Sequence, residues 1–193
     1  MTILSNPLVF RSYWLALRPI CVVRTAPCCK TNQKSGIGFA PFAQHKGKML
    51  PLEKSYELVK VLAKKNTIYF FGGGKKETET LESWEQQIPN TKSLAGKLNL
   101  SEELNRIAQL EVMISMDSAN MHLASIVGTR CVSVWGATHP YAGFLGFGQS
   151  EDDVVQIKDL TCRPCSVFGD KECYRGDWAC LEETNVQQII DKI

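Results

Sequence analysis

The sequence predicts an α/β fold built on a doubly wound parallel sheet. Three observations predict it. Four short β-rich runs, each closed by Gly, Pro or polar residues, alternate with amphipathic stretches of helical length. Small-residue turns such as "GGG", "DSA" and "GATH" follow three of those runs, where strands of an open sheet hand over to helices. The chain has 193 residues, enough for one well-buried domain and short for two. Strands separated by helices are joined by right-handed crossovers, so the strands run parallel.

Residues 1 to 35 mix apolar, Arg and Cys content without either periodicity and end in the polar run "KTNQKSG"; they read as a leader or remnant outside a domain spanning residues 36–193. "IGFAPF" is a strand ending at Pro41, and "AQHKGKML" a basic loop. Pro51 suits the first turn of a helix whose Leu52, Tyr56, Val59 and Leu62 recur at helical spacing. "TIYFF" is the second strand, and Leu81, Trp84 and Ile88 mark one face of the next helix. Ser101 is the expected cap of a third helix with Leu104, Ile107 and Ala108 facing inward. "VMIS" is a strand, "SANMHLASIV" a helix stopped by Gly128, and "CVSVW" a strand. The order is β-α-β-α-α-β-α-β. Thr184 then caps a last helix with a Val186, Ile189, Ile190, Ile193 stripe.

Lys+Arg of 22 against Asp+Glu of 20 gives a net charge of +2, so no whole-molecule field favours nucleic acid or an anionic membrane. The apolar N-terminal part is broken by Arg11, Arg18 and Arg24, which argues against a membrane span and a signal peptide; cytoplasmic residence is the default expectation. No Gly-x-Gly-x-x-Gly follows the first strand, which argues against a nicotinamide-dependent dehydrogenase.

In a parallel sheet ligands bind at the carboxyl ends of the strands, and the turn after "VMIS" delivers Asp117 and Ser118 there. The helix they open offers free N–H groups and a dipole that favour a phosphate. Ala119 is small enough for close backbone approach, and His122 faces the same crevice one turn on. The same residues also suit an ordinary N-cap with a packed His, and this span alone leaves both readings open. The turn Gly136 to His139, after the next strand, brings a second small-residue turn to the same edge.

These motifs carry a resemblance. "MDSANMHLASIVGTRCVSVWGATHP" resembles the donor-binding signature of glycosyltransferase family 9, the ADP-heptose:lipopolysaccharide heptosyltransferases: Asp-Ser/Thr-Gly-x-x-His, a strand, then a Gly-x-Thr turn. "APFAQHKGKMLPLEKSYELV" is similar to the family's Lys-x-x-Pro segment, "YFFGGGKKE" to its strand and Gly-rich turn, and "LTCRPC" with the later cysteines to the tail of many members. The resemblance covers Gly36 to Ile193 and implies a Rossmann-like sheet, the C-terminal half of a GT-B glycosyltransferase. The family's proposed base, an Asp of the N-terminal half, has no counterpart in residues 1 to 35, so the resemblance implies a donor half inactive on its own.

Carried over by position, the resemblance makes Lys48 the catalytic lysine at the donor's phosphates or sugar and Asp117 the residue holding the sugar. It makes the Ser118 and Ala119 backbone the diphosphate site, with His122 beside it and Gly136 and Thr138 in the second turn. Ala119 departs from the family's Gly. The implied reaction is an inverting transfer from an ADP-sugar to a lipopolysaccharide core or other saccharide acceptor, with any membrane association peripheral. A lysine and a helix N-terminus stabilise the leaving diphosphate, so the step needs no metal cofactor. Read alone, Lys48 is better taken as a solvated loop lysine. A second reading of the chain is a non-catalytic nucleotide-binding or zinc-stabilised interaction module.

Four of the eight cysteines, Cys162, Cys165, Cys173 and Cys180, fall in one loop-rich stretch at 160–182 and number enough for a structural zinc site. Only the first pair has Cys-x-x-Cys spacing, and free thiols or disulfides formed in air compete with that reading. Cys131 lies in an apolar strand and reads as core, while Cys28 and Cys29 fall in the leader.

Overall fold

The β-rich runs are short and apolar throughout, as strands covered on both faces must be. In the computed structural model, which describes residues 34–193, they become β1 (Ile37–Ala40), β2 (Ile68–Phe70), β4 (Val112–Met116) and β5 (Cys131–Val134). The helices between them are α1 (Leu52–Leu62), α2 (Lys75–Gln87), α3 (Leu100–Ala108) and α4 (Ala119–Ile126). Two strands join that the sequence does not announce, β3 (Thr91–Ser93) between α2 and α3, and β6 (Val154–Val155) after β5. The chain ends in α5 (Ala179–Glu182) and α6 (Val186–Ile190). Residues 1–33, with Cys28, Cys29 and most of the expected leader, lie outside the described residues.

The six strands form one sheet in the order β3-β2-β1-β4-β5-β6, and every neighbouring pair is parallel. The α/β doubly wound expectation therefore holds. The order reverses between β1 and β4, and there the crossovers leave toward opposite edges and open a crevice at the carboxyl ends. One face of the sheet packs Ile37, Phe39, Leu58, Phe70, Trp84 and Ile189; the other packs Phe71, Ile107, Met113, Met121 and Trp135.

The α-α succession expected between the second and third strands is corrected to α-β-α. Thr91-Lys92-Ser93 has no apolar pattern, and it becomes a strand because Asn90, at φ 62°, turns the chain back beside β2. Two caps shift by a residue or two. Asn99, not Ser101, accepts the N–H of Glu102 and forms a reciprocal box with it. Asn185, not Thr184, caps α6, because the Thr184 hydroxyl is already donated to the Cys180 carbonyl. Ile189 is fully buried, but Leu52 at the start of α1 and Ile193, three residues past α6, are each 40% exposed. No described helix is long and apolar enough to cross a membrane.

Candidate functional site

The site is assembled from strand ends. β1 leads through Phe42 and Ala43 into a single 3-10 turn, Lys46–Lys48, that carries Lys48; β2 ends in Gly72 and Gly73; β4 ends in Asp117 and Ser118. They enclose a cavity of about 470 Å³ at the β1/β4 reversal, lined also by Glu77, Ala119, Asn120, His122 and Phe144.

At its base Lys48 Nζ lies 2.9 Å from Asp117 Oδ2, with side chains 15% and 4% exposed. The Thr138 hydroxyl, itself fully buried, donates to the same oxygen at 2.8 Å. Lys48 is thus no solvated loop lysine. Both bonds converge on Oδ2, so Oδ1 keeps its acceptor capacity.

Ser118 is the N-cap of α4 in extended conformation, yet its side chain caps nothing and sits 3.2 Å from the Ser115 hydroxyl. The first amides of α4 therefore open on the cavity without a side-chain acceptor, which suits an anion. The Gly-rich turn differs. Its Gly73 and Gly74 N–H groups both donate to Glu77 Oε2, at 2.9 and 3.2 Å, so a carboxylate already holds them. The cavity has an anion-attracting end at Lys48 and α4 and an anion-repelling wall at Glu77.

Of the residues singled out in the sequence, Lys48, Asp117, Ser118, Ala119 and His122 line this cavity. Gly136 and Thr138 do not line it. Gly136 is buried, and a Cβ there would collide with the Gly47 carbonyl and Leu181, so only glycine fits; Thr138 acts from beneath through Asp117. The sequence reading missed Glu77, Asn120 and Phe144. Glu77 stands at the capping-box position after Gly74, a signal that was available. The buried Asn120 Oδ1 has no hydrogen-bond partner among the described residues, and nothing local in the sequence announces that.

The zinc expectation is corrected. Among the described residues no three His, Cys, Asp or Glu side chains are grouped to hold a metal ion, so Cys162, Cys165, Cys173 and Cys180 do not form a tetrahedral set. Cys165 Sγ points to the Cys162 carbonyl at 2.9 Å instead. Burial pushes the Cys180 thiol up to about 11 and Cys131 up to about 12, so both stay protonated. Of the competing readings, the described cysteines are free thiols.

The sequence model of glycosyltransferase family 9 (heptosyltransferase) matches residues 19–174, most of the chain. The chain belongs to glycosyltransferase family 9. Lipooligosaccharide heptosyltransferase 2 of Campylobacter jejuni is 23% identical over 201 residues, covering 98% of this chain and 60% of the relative. The chain thus spans about 60% of the length of that family member. Among solved structures, ADP-heptose lps heptosyltransferase II of E. coli shares the fold with a TM-score of 0.63 at 18% identity, over all of this chain and 51% of its own. E. coli heptosyltransferase WaaC, solved with ADP-2-deoxy-2-fluoro heptose, has a TM-score of 0.61 at 20% identity, over 84% of this chain and 44% of its own.

Proposed function

We propose that residues 36–193 are the donor-binding half of a heptosyltransferase and that the cavity at the β1/β4 reversal takes an ADP-sugar of the heptose class. One observation carries the proposal: the buried Lys48–Asp117–Thr138 set lies beside the open N-terminus of α4 in that cavity. A diphosphate has two anionic groups to satisfy, and the ammonium of Lys48 and the first N–H groups of α4 supply both kinds of partner. Asp117 presents an acceptor-only carboxylate, which selects the hydroxyls of a sugar. Glu77 repels phosphate and likewise accepts hydroxyls.

The chemistry that follows is an inverting displacement. The acceptor hydroxyl attacks the anomeric carbon, its proton passes to a base, and the carbon–oxygen bond to ADP breaks. Negative charge grows on the leaving diphosphate, where Lys48 and the α4 dipole stabilise it. Base and acceptor, the saccharide of a lipopolysaccharide core, belong to an N-terminal half in this reading, so residues 36–193 bind donor but transfer little alone. The enzyme would work in the cytoplasm, peripherally at the inner membrane face where that acceptor is presented.

The test is calorimetric titration of ADP and an ADP-sugar into the purified chain, with Asp117→Ala and Lys48→Ala in parallel. The expected result is that Lys48→Ala weakens both ligands while Asp117→Ala weakens the ADP-sugar more than ADP. No binding by well-folded protein overturns the proposal. A separately supplied N-terminal half that restores transfer would establish the division of labour.

A further inference from the structure

The cysteine-rich segment holds no metal set among the described residues, yet it packs against the Lys48 stem and holds the turn whose Thr138 binds Asp117. Arg163 lies inside the segment with all three guanidinium nitrogens engaged. Its Nε donates to the Gly136 carbonyl, its Nη1 to the Ile157 carbonyl, and its Nη2 to the Thr138 carbonyl at 2.9 Å and to Gln156 Oε1 at 3.1 Å. Most of the second βα turn therefore hangs on one planar fork. That turn is also clamped through Ala137, whose N–H donates to the Gly47 carbonyl at 2.7 Å and whose carbonyl accepts the Cys165 N–H at 3.0 Å. The Thr138 hydroxyl that fixes Asp117 is carried by this clamped turn.

Six residues on, Gly169 lies against the Lys48 stem. At φ +74° it is in the left-handed region, and a Cβ built there would sit 2.8 Å from Lys48 Cγ and 3.0 Å from Cε. The Ser166 hydroxyl accepts the Gly169 N–H at 3.0 Å and donates to Asp170, which holds this backbone in place. Moving aside for a methyl group would carry the lysine away from a partner 2.9 Å distant.

We propose that the segment from Arg163 to Gly169 positions the donor site: Arg163 sets Asp117 through Thr138, and Gly169 leaves the groove in which the Lys48 stem must lie. Both are positioning residues, because neither lines the cavity. Only the ligand arm of the test rests on the donor-binding reading above.

The test uses Gly169→Ala, Arg163→Lys and a control, Gly176→Ala. Gly176 belongs to the same segment and has φ +78°, but a Cβ there meets nothing within 4 Å among the described residues, so the control carries the backbone strain without the contact. The first readout needs no ligand: the acylation rate of Lys48 by an N-hydroxysuccinimide ester, followed by peptide mass spectrometry against the exposed Lys60. Gly169→Ala and Arg163→Lys are expected to raise Lys48 labelling severalfold, because each loosens the pair that occupies the amine; Gly176→Ala leaves it at the wild-type rate. Should Gly169→Ala fail to fold, Arg163→Lys carries the same readout. The second readout is titration, where Arg163→Lys is expected to weaken an ADP-sugar roughly tenfold, the loss of one charge-assisted contact, while ADP changes little. Wild-type labelling in both variants, or equal rises in all three, overturns the proposal. Raised labelling in a wild-type background that binds neither ADP nor ADP-sugar overturns the donor reading and leaves the positioning role standing.

Discussion

The Lys48–Asp117 pair can be weighed by a double-mutant cycle of Lys48→Met, Asp117→Asn and both together. Nζ and Oδ2 are 2.9 Å apart with side chains 15% and 4% exposed. With an effective dielectric constant of about 20, Coulomb's law gives a gross attraction of roughly 6 kcal/mol, and removing two ions from water takes most of that back. Removing one partner is a different matter, since the other charge is left buried without compensation. Such losses run to about 3–5 kcal/mol, and the partial exposure of Lys48 puts each single variant near the lower end, about 3 kcal/mol. The double variant strands no charge and keeps a side-chain acceptor for the Thr138 hydroxyl. Its cost is therefore about 2–3 kcal/mol, far below the sum of the singles, and the coupling energy is about 3–4 kcal/mol. Urea unfolding of the four proteins, with unchanged m values, measures this. Additivity within about 0.5 kcal/mol would show that the two residues do not form an effective pair and would refute the reasoning.

Three further outcomes follow from the same geometry. Thr138→Val removes the hydroxyl at 2.8 Å from Asp117 in a fully buried position, so stability falls by about 1.5–3 kcal/mol in urea unfolding and sugar-nucleotide affinity falls in titration. Glu77→Ala frees the Gly73 and Gly74 N–H groups; the loss of about 1 kcal/mol of capping lowers the thermal midpoint by roughly 3 °C in a scan. Alkylation by iodoacetamide depends on the thiolate, which every thiol gains as pH rises toward its own pKa. Desolvation at Cys173 is outweighed by backbone N–H groups of Trp178, Arg175 and Gly176, leaving it below the ordinary thiol, so among the described cysteines it reacts first at pH 8. Cys180, pushed up to about 11, is ionised to only roughly one part in a thousand at that pH and reacts with Cys131 last, as peptide mapping will show.

The sheet was legible where burial writes itself into composition. β1, β2, β4 and β5 are apolar runs because helices cover both faces, and Asp117-Ser118 at the end of β4 was legible as a helix start facing the ligand edge. β3 was illegible because its three residues are polar and owe their conformation to pairing with β2 at the sheet edge. The Lys48–Asp117 contact joins residues from two crossovers, which no local spacing can specify; the family resemblance implied a donor role for each residue but not the ion pair between them. Gly136 and Thr138 show the limit of motif transfer. A motif marks a turn as belonging to the site without saying which residues face the ligand and which hold it from behind. Cysteine spacing misled for a related reason, since four thiols close in sequence need convergent side chains before they make a metal site.

In our reading of the cavity as a donor site, the arrangement also accounts for an Asp at the base of a site for an anion. A carboxylate next to a diphosphate is repelled by it, and that repulsion would oppose binding unless a cation lay between them. On that reading Lys48 is that cation: its ammonium has three donors, and one on Asp117 leaves two for phosphate oxygens, so the pair would not have to break on donor binding. With Thr138 and Lys48 both on Oδ2, the carboxylate is fixed in orientation and Oδ1 is left for a hydroxyl donor. An Asn at position 117 would either offer its amide N–H₂ to the ammonium, which has no acceptor, or present it toward the sugar in place of an acceptor. In our reading the charge that makes Asp117 costly beside a diphosphate is therefore what holds Lys48 where the leaving group needs it.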